Sequence, residues 1–290
     1  MNDSSAHYDR VTEAWRQWVM GEALHFGLFT NRDQPLREAT DNLTQRLIDA
    51  ANIAEPHRVL DVGCGIGTPA RAIARRCGCH VVGITTSQVG LTLAQEATTE
   101  PELQARTQFV LADALETEFE DDTFDRIFAL ESFHLMSDHD RLFAELFRVL
   151  QPGGRLALCD VTMVTELQGR LSELEGYRAF GHSQPVAERM QQAVHRTMHR
   201  AFGSVRFVQA TQYIEAARKA GFIDITTENI SSQTRPTLEH WGRNAQTNAE
   251  ALSDALGPNY LDDLFLALFH MSMGWGRHGG YVVMTADKLF

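Results

Sequence analysis

Positive charge is in short supply in this sequence: 26 Lys and Arg stand against 38 Asp and Glu, a formal net charge of −12 over 290 residues. Binding to a phosphate backbone is driven by Lys and Arg that displace counterions, so no nucleic-acid partner is expected. Cysteine is nearly as scarce. Of Cys64, Cys77, Cys79 and Cys159, only Cys77 and Cys79 are close together, which falls short of the paired spacing of a zinc site. They read as reduced thiols, and no metal is expected. No apolar run approaches the roughly 20 residues of a membrane helix, and residues 1 to 10 carry no apolar signal core. The expectation is a cytoplasmic protein with no membrane insertion. Internal repeats and low-complexity tracts are also missing. With 43% hydrophobic residues, the chain has enough apolar mass to bury a full core as one embellished domain.

The most informative stretch is residues 58 to 74. Val59, Leu60 and Val62 read as a buried strand, and Asp61 precedes Gly63, Gly65 and Gly67. Glycines at a strand-to-helix turn let a ligand approach the backbone closely. Thr68 is expected to cap the next helix, with Pro69 at its first position, where a missing N–H costs nothing. Nicotinamide and flavin enzymes also place a glycine loop here, spaced G-x-G-x-x-G for a pyrophosphate. This chain has G-x-G-x-G.

Around that stretch the pattern alternates strand and helix. An aromatic segment over residues 7 to 29 reads as a helix with Trp15, Trp18 and Met20, then a turn with His25, Phe26 and Gly27. Residues 36 to 51 place Leu36, Ala39, Leu43, Leu47 and Ile48 on one helical face. Strands are predicted over residues 80 to 88, 107 to 114, 126 to 130 and 155 to 159, with helices over 87 to 98 and 140 to 150. Strands alternating with helices from 58 to 160 imply a parallel sheet with right-handed crossovers. Helical spacing returns over 167 to 180, 185 to 202, 213 to 220, 238 to 256 and 260 to 275. Strands are predicted at 222 to 230 and 280 to 286.

Asp61 with Gly63, Gly65 and Gly67, then Gly83-Ile84-Thr85-Thr86-Ser87, Ala112-Asp113-Ala114 and Arg148-Val149-Leu150-Gln151-Pro152-Gly153-Gly154, together resemble the class I S-adenosylmethionine-dependent methyltransferases. Within that family the chain is similar to the group holding the rebeccamycin sugar O-methyltransferase and the sterol and cyclopropane-forming enzymes. The resemblance implies an α/β fold: a doubly wound, mostly parallel seven-stranded sheet with helical lid insertions. It divides the chain into a lid segment (1–55), a cofactor-binding core (56–160), a helical lid insertion (161–207) and a completion of the sheet (208–290). It implies S-adenosylmethionine as cofactor, contacted by Asp61, Gly63, Cys64, Gly65, Asp113, Ala114 and Leu130. Thr85 and Gln88 stand in for the acid that usually meets the ribose, and His25 and Tyr8 belong to the lid.

Methyl transfer from a sulfonium is an in-line displacement, and a hydroxyl acceptor usually needs a base. His134 lies just beyond the fourth strand and matches the first histidine of the group's S-L-H-H run. Leu135 replaces the second, which removes a two-histidine mechanism. His134 is the expected general base. Asp160 either orients it, touches the substrate or caps the next segment. Glu131 either holds the cofactor's ammonium, orients a base or is a satisfied polar group below the site. His195 and His199, four apart beside Arg196 and Arg200, read as a solvated basic face rather than a zinc pair. The run from Phe269 to Trp275 reads as core, with an apolar acceptor pocket as the other reading. The expected partner is a small secondary-metabolite acceptor methylated at oxygen; whether the chain forms a homo-oligomer stays open. The chemical alternative is carbon methylation of an indole or isoprenoid, with Glu173 and Glu175 as carboxylates, and an isoprenoid diphosphate would need a metal or clustered basic groups. More remote are a nicotinamide oxidoreductase and a cofactor-binding protein without catalysis.

Overall fold

The computed structural model describes residues 3–163 and 183–290. The expected helix over 167 to 180, together with Glu173, Glu175 and His182, lies outside the described residues. Among those described, strands β1 (Arg58–Val62), β2 (His80–Thr85), β3 (Thr107–Leu111), β4 (Phe124–Leu130), β5 (Leu150–Met163), β6 (Ile223–Asn229) and β7 (Gly279–Asp287) form one sheet, ordered β3-β2-β1-β4-β5-β7-β6. Pairings from β3 through β5 are parallel, and β7 runs antiparallel between β5 and β6. The strand order therefore reverses at β1, with β2 and β3 added on one side and β4 and β5 on the other, and the ligand crevice opens at the carboxyl ends of β1 and its neighbours.

The side-chain period of two sends alternate residues of each strand to opposite faces. Val59, Val81, Phe128 and Ala157 join one buried cluster. Their neighbours Leu60, Val82, Ile127 and Leu156 join the other. The first face is covered by α2 (Leu36–Ala51) and α3 (Thr68–Cys77), and the second by α6 (His139–Val149) and α8 (Ala210–Ala220). Fully buried Leu142, Phe143 and Leu146 of α6 recur at helical spacing. Removing the Phe143 ring would cost about 3–5 kcal/mol.

Between these lie α4 (Gln88–Glu96), α5 (Pro101–Arg106) and α7 (Gln184–Phe202). The carboxyl-terminal third adds α9 (Pro236–Thr247), α10 (Ala249–Leu256) and α11 (Pro258–Gly274). The amino-terminal helix α1 (Asp3–Trp18) packs across α4 and α10. It stops at Trp18, so Met20 lies beyond the helix expected to carry it. Three further differences have local causes. The first residue of α3 is Thr68 itself; left-handed Gly67 (φ 76°) is the cap, and the Thr68 hydroxyl donates to the Glu22 carbonyl at 2.7 Å instead. β3 ends at Leu111, three residues early, because the Asp113 carboxylate turns the chain by accepting the Leu115 N–H at 2.9 Å. β5 runs to Met163, held by nine register pairs with β7.

Candidate active site

A cleft at the carboxyl ends of β1 to β4 is walled by the glycine loop, the ends of β2 and β4, the turn after β3, and residues of α1. The loop is fastened from beneath. The N–H groups of Gly63 and Cys64 both donate to the Ile84 carbonyl at 2.9 Å. Gly63 has φ 76°, and a Cβ there would stand 2.3 Å from the Ser132 Cβ, so only glycine closes the loop onto β4. Gly65 also has a positive φ, 54°, but a Cβ there would meet nothing within 4 Å. It faces open cleft.

Besides Asp113 on its wall, two carboxyl groups bear on this cleft, Asp61 from behind and Glu131 from the wall. Asp61 is buried beneath the loop, and its Oδ2 has no hydrogen-bond partner among the described residues. Burial pushes its carboxyl up to about 7. Glu131 sits at φ 56°, an uncommon conformation for a non-glycine residue. Its Oε1 accepts the Phe26 N–H and the Tyr281 hydroxyl, each at 2.6 Å. Burial pushes this carboxyl up to about 8, against the pull of those two bonds and of His134. Two carboxyl groups so raised, one with an orphaned oxygen, fit a ligand that brings positive charge and restores their ionised forms. Gly65 leaves the space such a ligand needs. S-adenosylmethionine, with its sulfonium and ammonium, fits these residues.

His134 lies in a 3-10 turn (Phe133–Leu135) just beyond β4, buried, with its ring on the cleft wall. Its Nδ1–H donates to Asp160 Oδ1 at 2.5 Å, and its backbone N–H donates to Asp160 Oδ2 at 3.0 Å. Asp160 Oδ1 also accepts the Val161 N–H at 2.7 Å. Asp160 accepts three bonds, two of them from His134, and is not on the cleft wall, so its contacts match the expected role of orienting His134. Anchoring Nδ1–H leaves Nε2 as the unprotonated nitrogen of the neutral ring. Burial alone would lower the imidazole's pKa; the Asp160 carboxylate and then Glu131 outweigh it, and the net shift is upward. Phe207 stacks on the ring at 5.6 Å. The Arg206 N–H donates to the His134 carbonyl at 2.6 Å.

The cleft brings together most of the residues expected from sequence: Gly63, Cys64, Gly65, Thr85, Asp113, Ala114, Leu130, Glu131, His134, His25 and Tyr8. Asp61 and Asp160 sit behind the wall. Gln88, the exposed first residue of α4, is not on it, which leaves Thr85 as the cleft residue at the end of β2. An acid does arrive beside that strand end, from α1: Asp9 Oδ1 accepts the Ser87 hydroxyl at 2.5 Å and the Val89 N–H at 3.1 Å. Ser5 adds a bond from its hydroxyl to the Thr86 carbonyl. Nothing in sequence spacing announced that latch, nor the Tyr281 contact to Glu131. His25 is tied down: Nδ1–H donates to the Phe26 carbonyl at 2.7 Å, and Nε2 lies 3.3 Å from the Thr44 hydroxyl. Burial lowers its pKa to about 4, so it is a neutral group that ties the turn at residues 25 and 26 to Thr44 of α2. The run from Phe269 to Trp275 divides: Met271 and Trp275 line cavities, while Phe269 and Met273 are exposed.

The comparisons with known proteins agree with this geometry. Residues 60–158 match the model of a methyltransferase domain. The chain is 32% identical to methyltransferase GfsG of Streptomyces halstedii, covering 97% of this chain and 92% of that one. It is 31% identical to 27-O-demethylrifamycin SV methyltransferase of Amycolatopsis mediterranei, covering 99% and 97%. The [4+2]-cyclase SpnF superposes with a TM-score of 0.80 at 28% identity, over 100% and 97% of the two chains. The mycolic acid cyclopropane synthase CmaA1, complexed with SAH and CTAB, shares the fold with a TM-score of 0.84 at 18% identity, over 99% and 97%. Full-length identity, sheet order and a glycine-loop cleft suited to a sulfonium cofactor converge on one conclusion: the chain belongs to the class I S-adenosylmethionine-dependent methyltransferases that act on small molecules of the secondary-metabolite kind.

Proposed function

We propose that the enzyme methylates a hydroxyl group of its acceptor, with His134 Nε2 taking the hydroxyl proton. The observation that carries this reading is the His134–Asp160 pair, buried at the cleft wall with a 2.5 Å bond. The cofactor, when bound, supplies a methyl group on a sulfonium. Gly63, Cys64 and Gly65 would hold its amino-acid end, Asp61 and Glu131 would face its positive charge, and Asp113 and Thr85 would meet its nucleoside. Asp160 keeps the proton of His134 on Nδ1, so that Nε2 can accept one, and stabilises the imidazolium that forms. Phe26 packs against both Trp241 and Trp275, with ring centroids 4.7 and 4.8 Å apart, and this apolar cluster would help exclude water from the reacting groups.

The names of two relatives bear on the choice of atom. One is a 27-O-demethylrifamycin SV methyltransferase; another, 29% identical over 56% of this chain, is a sterol 24-C-methyltransferase of Kluyveromyces lactis. Carbon methylation requires no base on a hydroxyl, and an oriented histidine supports oxygen. The test is a labelled-methyl screen of hydroxylated, indole and prenyl acceptors, with the labelled position found by NMR. Label on oxygen is expected. Label only on carbon, or cyclised product with no methyl incorporated, would overturn the proposal.

A further inference from the structure

A second cavity of about 620 Å³ adjoins the cleft and shares Val161, Val205, Phe207 and Met271 with it. Its volume is that of a site for a drug-sized ligand. The floor is apolar, with Met198, Met271, Phe207 and Trp275. Thr162 and Gln192 are neutral polar groups on its wall, and every ionisable side chain among its described lining residues is basic. Arg206, His195, His270 and His278 line it, and among the described residues no Asp or Glu does. With 38 Asp and Glu against 26 Lys and Arg in the chain, a cavity whose described lining holds one arginine and three histidines and no Asp or Glu is conspicuous.

Arg206 makes no ion pair among the described residues; its Nη1 donates only to the Ser137 carbonyl, at 2.5 Å. The rest of its guanidinium remains able to donate. By contrast Arg200, on α7 outside the cavity, is paired twice with Asp263, at 2.6 and 2.7 Å. His195 and His278 do not form a metal-holding group with other described side chains, so they read as separate donors around the opening. Arg206 is also fixed to the catalytic turn: its backbone N–H bonds the His134 carbonyl, and its neighbour Phe207 stacks on the His134 ring. An anion held on Arg206 would thus be placed at a set distance from the base.

We infer that this cavity binds the acceptor, and that the acceptor is an apolar molecule carrying an anionic group, carboxylate or phosphate, which pairs with Arg206 under the histidine rim. Guanidinium matches both anions bidentately, which is why the chemistry of the two is shared. The inference rests on the methyltransferase reading for the role of the cavity, but not on His134 being the base.

The test is binding without turnover, on protein saturated with S-adenosylhomocysteine so that the cofactor cleft is filled. Octanoate, octyl phosphate and octanol are titrated while tryptophan fluorescence is followed, Trp275 being on the cavity wall. At least one of the two anions is expected to bind tenfold or more tightly than the alcohol, and which one does so separates carboxylate from phosphate. Arg206→Met is expected to remove that preference while leaving octanol binding unchanged, and His195→Gln to reduce it. Arg200→Met is expected to preserve it. Equal binding of the alcohol, a preference that survives Arg206→Met in a variant with unchanged thermal midpoint, or no binding by any probe would overturn the inference. If instead the preference holds and a His134 variant keeps full turnover, the base assignment fails and the acceptor class stands.

Discussion

Replacing Asp160 with Asn keeps the shape of the side chain and removes its charge, which makes it the sharpest probe of the His134 pair. In the native protein three donors point at this carboxylate: the Nδ1–H and backbone N–H of His134 and the backbone N–H of Val161. An amide has only one acceptor oxygen. Whichever way it turns, its NH2 faces at least one donor, and the mismatch costs about 1–3 kcal/mol of stability in a buried site. If the oxygen keeps the backbone N–H of His134, the NH2 faces Nδ1 and turns the ring to the tautomer with its proton on Nε2. The base nitrogen is then occupied. If the oxygen keeps Nδ1, the ring loses its carboxylate, and burial, no longer opposed by Asp160, lowers the imidazole pKa. Either way kcat should fall by about 10² to 10⁴, the usual worth of a positioned base, while S-adenosylmethionine affinity stays within a few-fold. Single-turnover transfer of labelled methyl, with cofactor binding measured separately by calorimetry, reads both quantities. Native kcat and an unshifted pH profile in Asp160→Asn would refute the reasoning.

Asp61 and Glu131, raised to about 7 and about 8 by burial, should ionise when the cationic cofactor binds; S-adenosylmethionine affinity is therefore expected to rise with pH up to about 8, with protons released. Calorimetry in two buffers of different ionisation enthalpy checks this, and buffer-independent heats would contradict it. In the cofactor-free protein the same groups subtract stability as pH climbs from the ordinary carboxylate range to about 8, because the unfolded chain ionises first and binds fewer protons. Gly65→Ala puts a methyl into open cleft at φ 54°; it should cost only about 1–2 kcal/mol of stability and yet weaken cofactor binding at least tenfold by titration. Asp9→Ala removes the acceptor shared by Ser87 and Val89; stopped-flow dissociation of S-adenosylmethionine should speed up by roughly tenfold, whereas an unchanged off-rate would show that α1 is not a latch.

Much of the sheet was legible because its signals are local. The apolar runs of β1 and β4, the glycines at 63, 65 and 67, and the amphipathic faces of α2 and α6 are written within a few residues of one another, and the bounds of α2 matched residue for residue. His134 and Asp160 were legible as candidates through the resemblance, with their pairing one of three roles open to Asp160, since 26 residues separate them and no spacing fixes the contact. The rest depended on contacts no spacing encodes. Tyr281 reaches Glu131 across 150 residues and Asp9 reaches Val89 across 80. β3 was expected to run to Ala114, whereas the Asp113 carboxylate makes the turn that stops it at Leu111. The basic cavity is assembled from α7, the segment before α8, and the end of α11, so no single stretch of sequence shows it.

The most direct measurement is the pH dependence of kcat for methyl transfer to a hydroxyl acceptor by the native enzyme and by His134→Gln. His134 must be neutral to act, and its pKa is raised, so native kcat should rise with pH through a midpoint above the usual histidine value of about 6.5 and then level off. In His134→Gln that limb should vanish and kcat should drop by about 10² to 10⁴, with cofactor affinity preserved. A variant that turns over at the native rate with the same pH profile would contradict the assignment of His134 as the base.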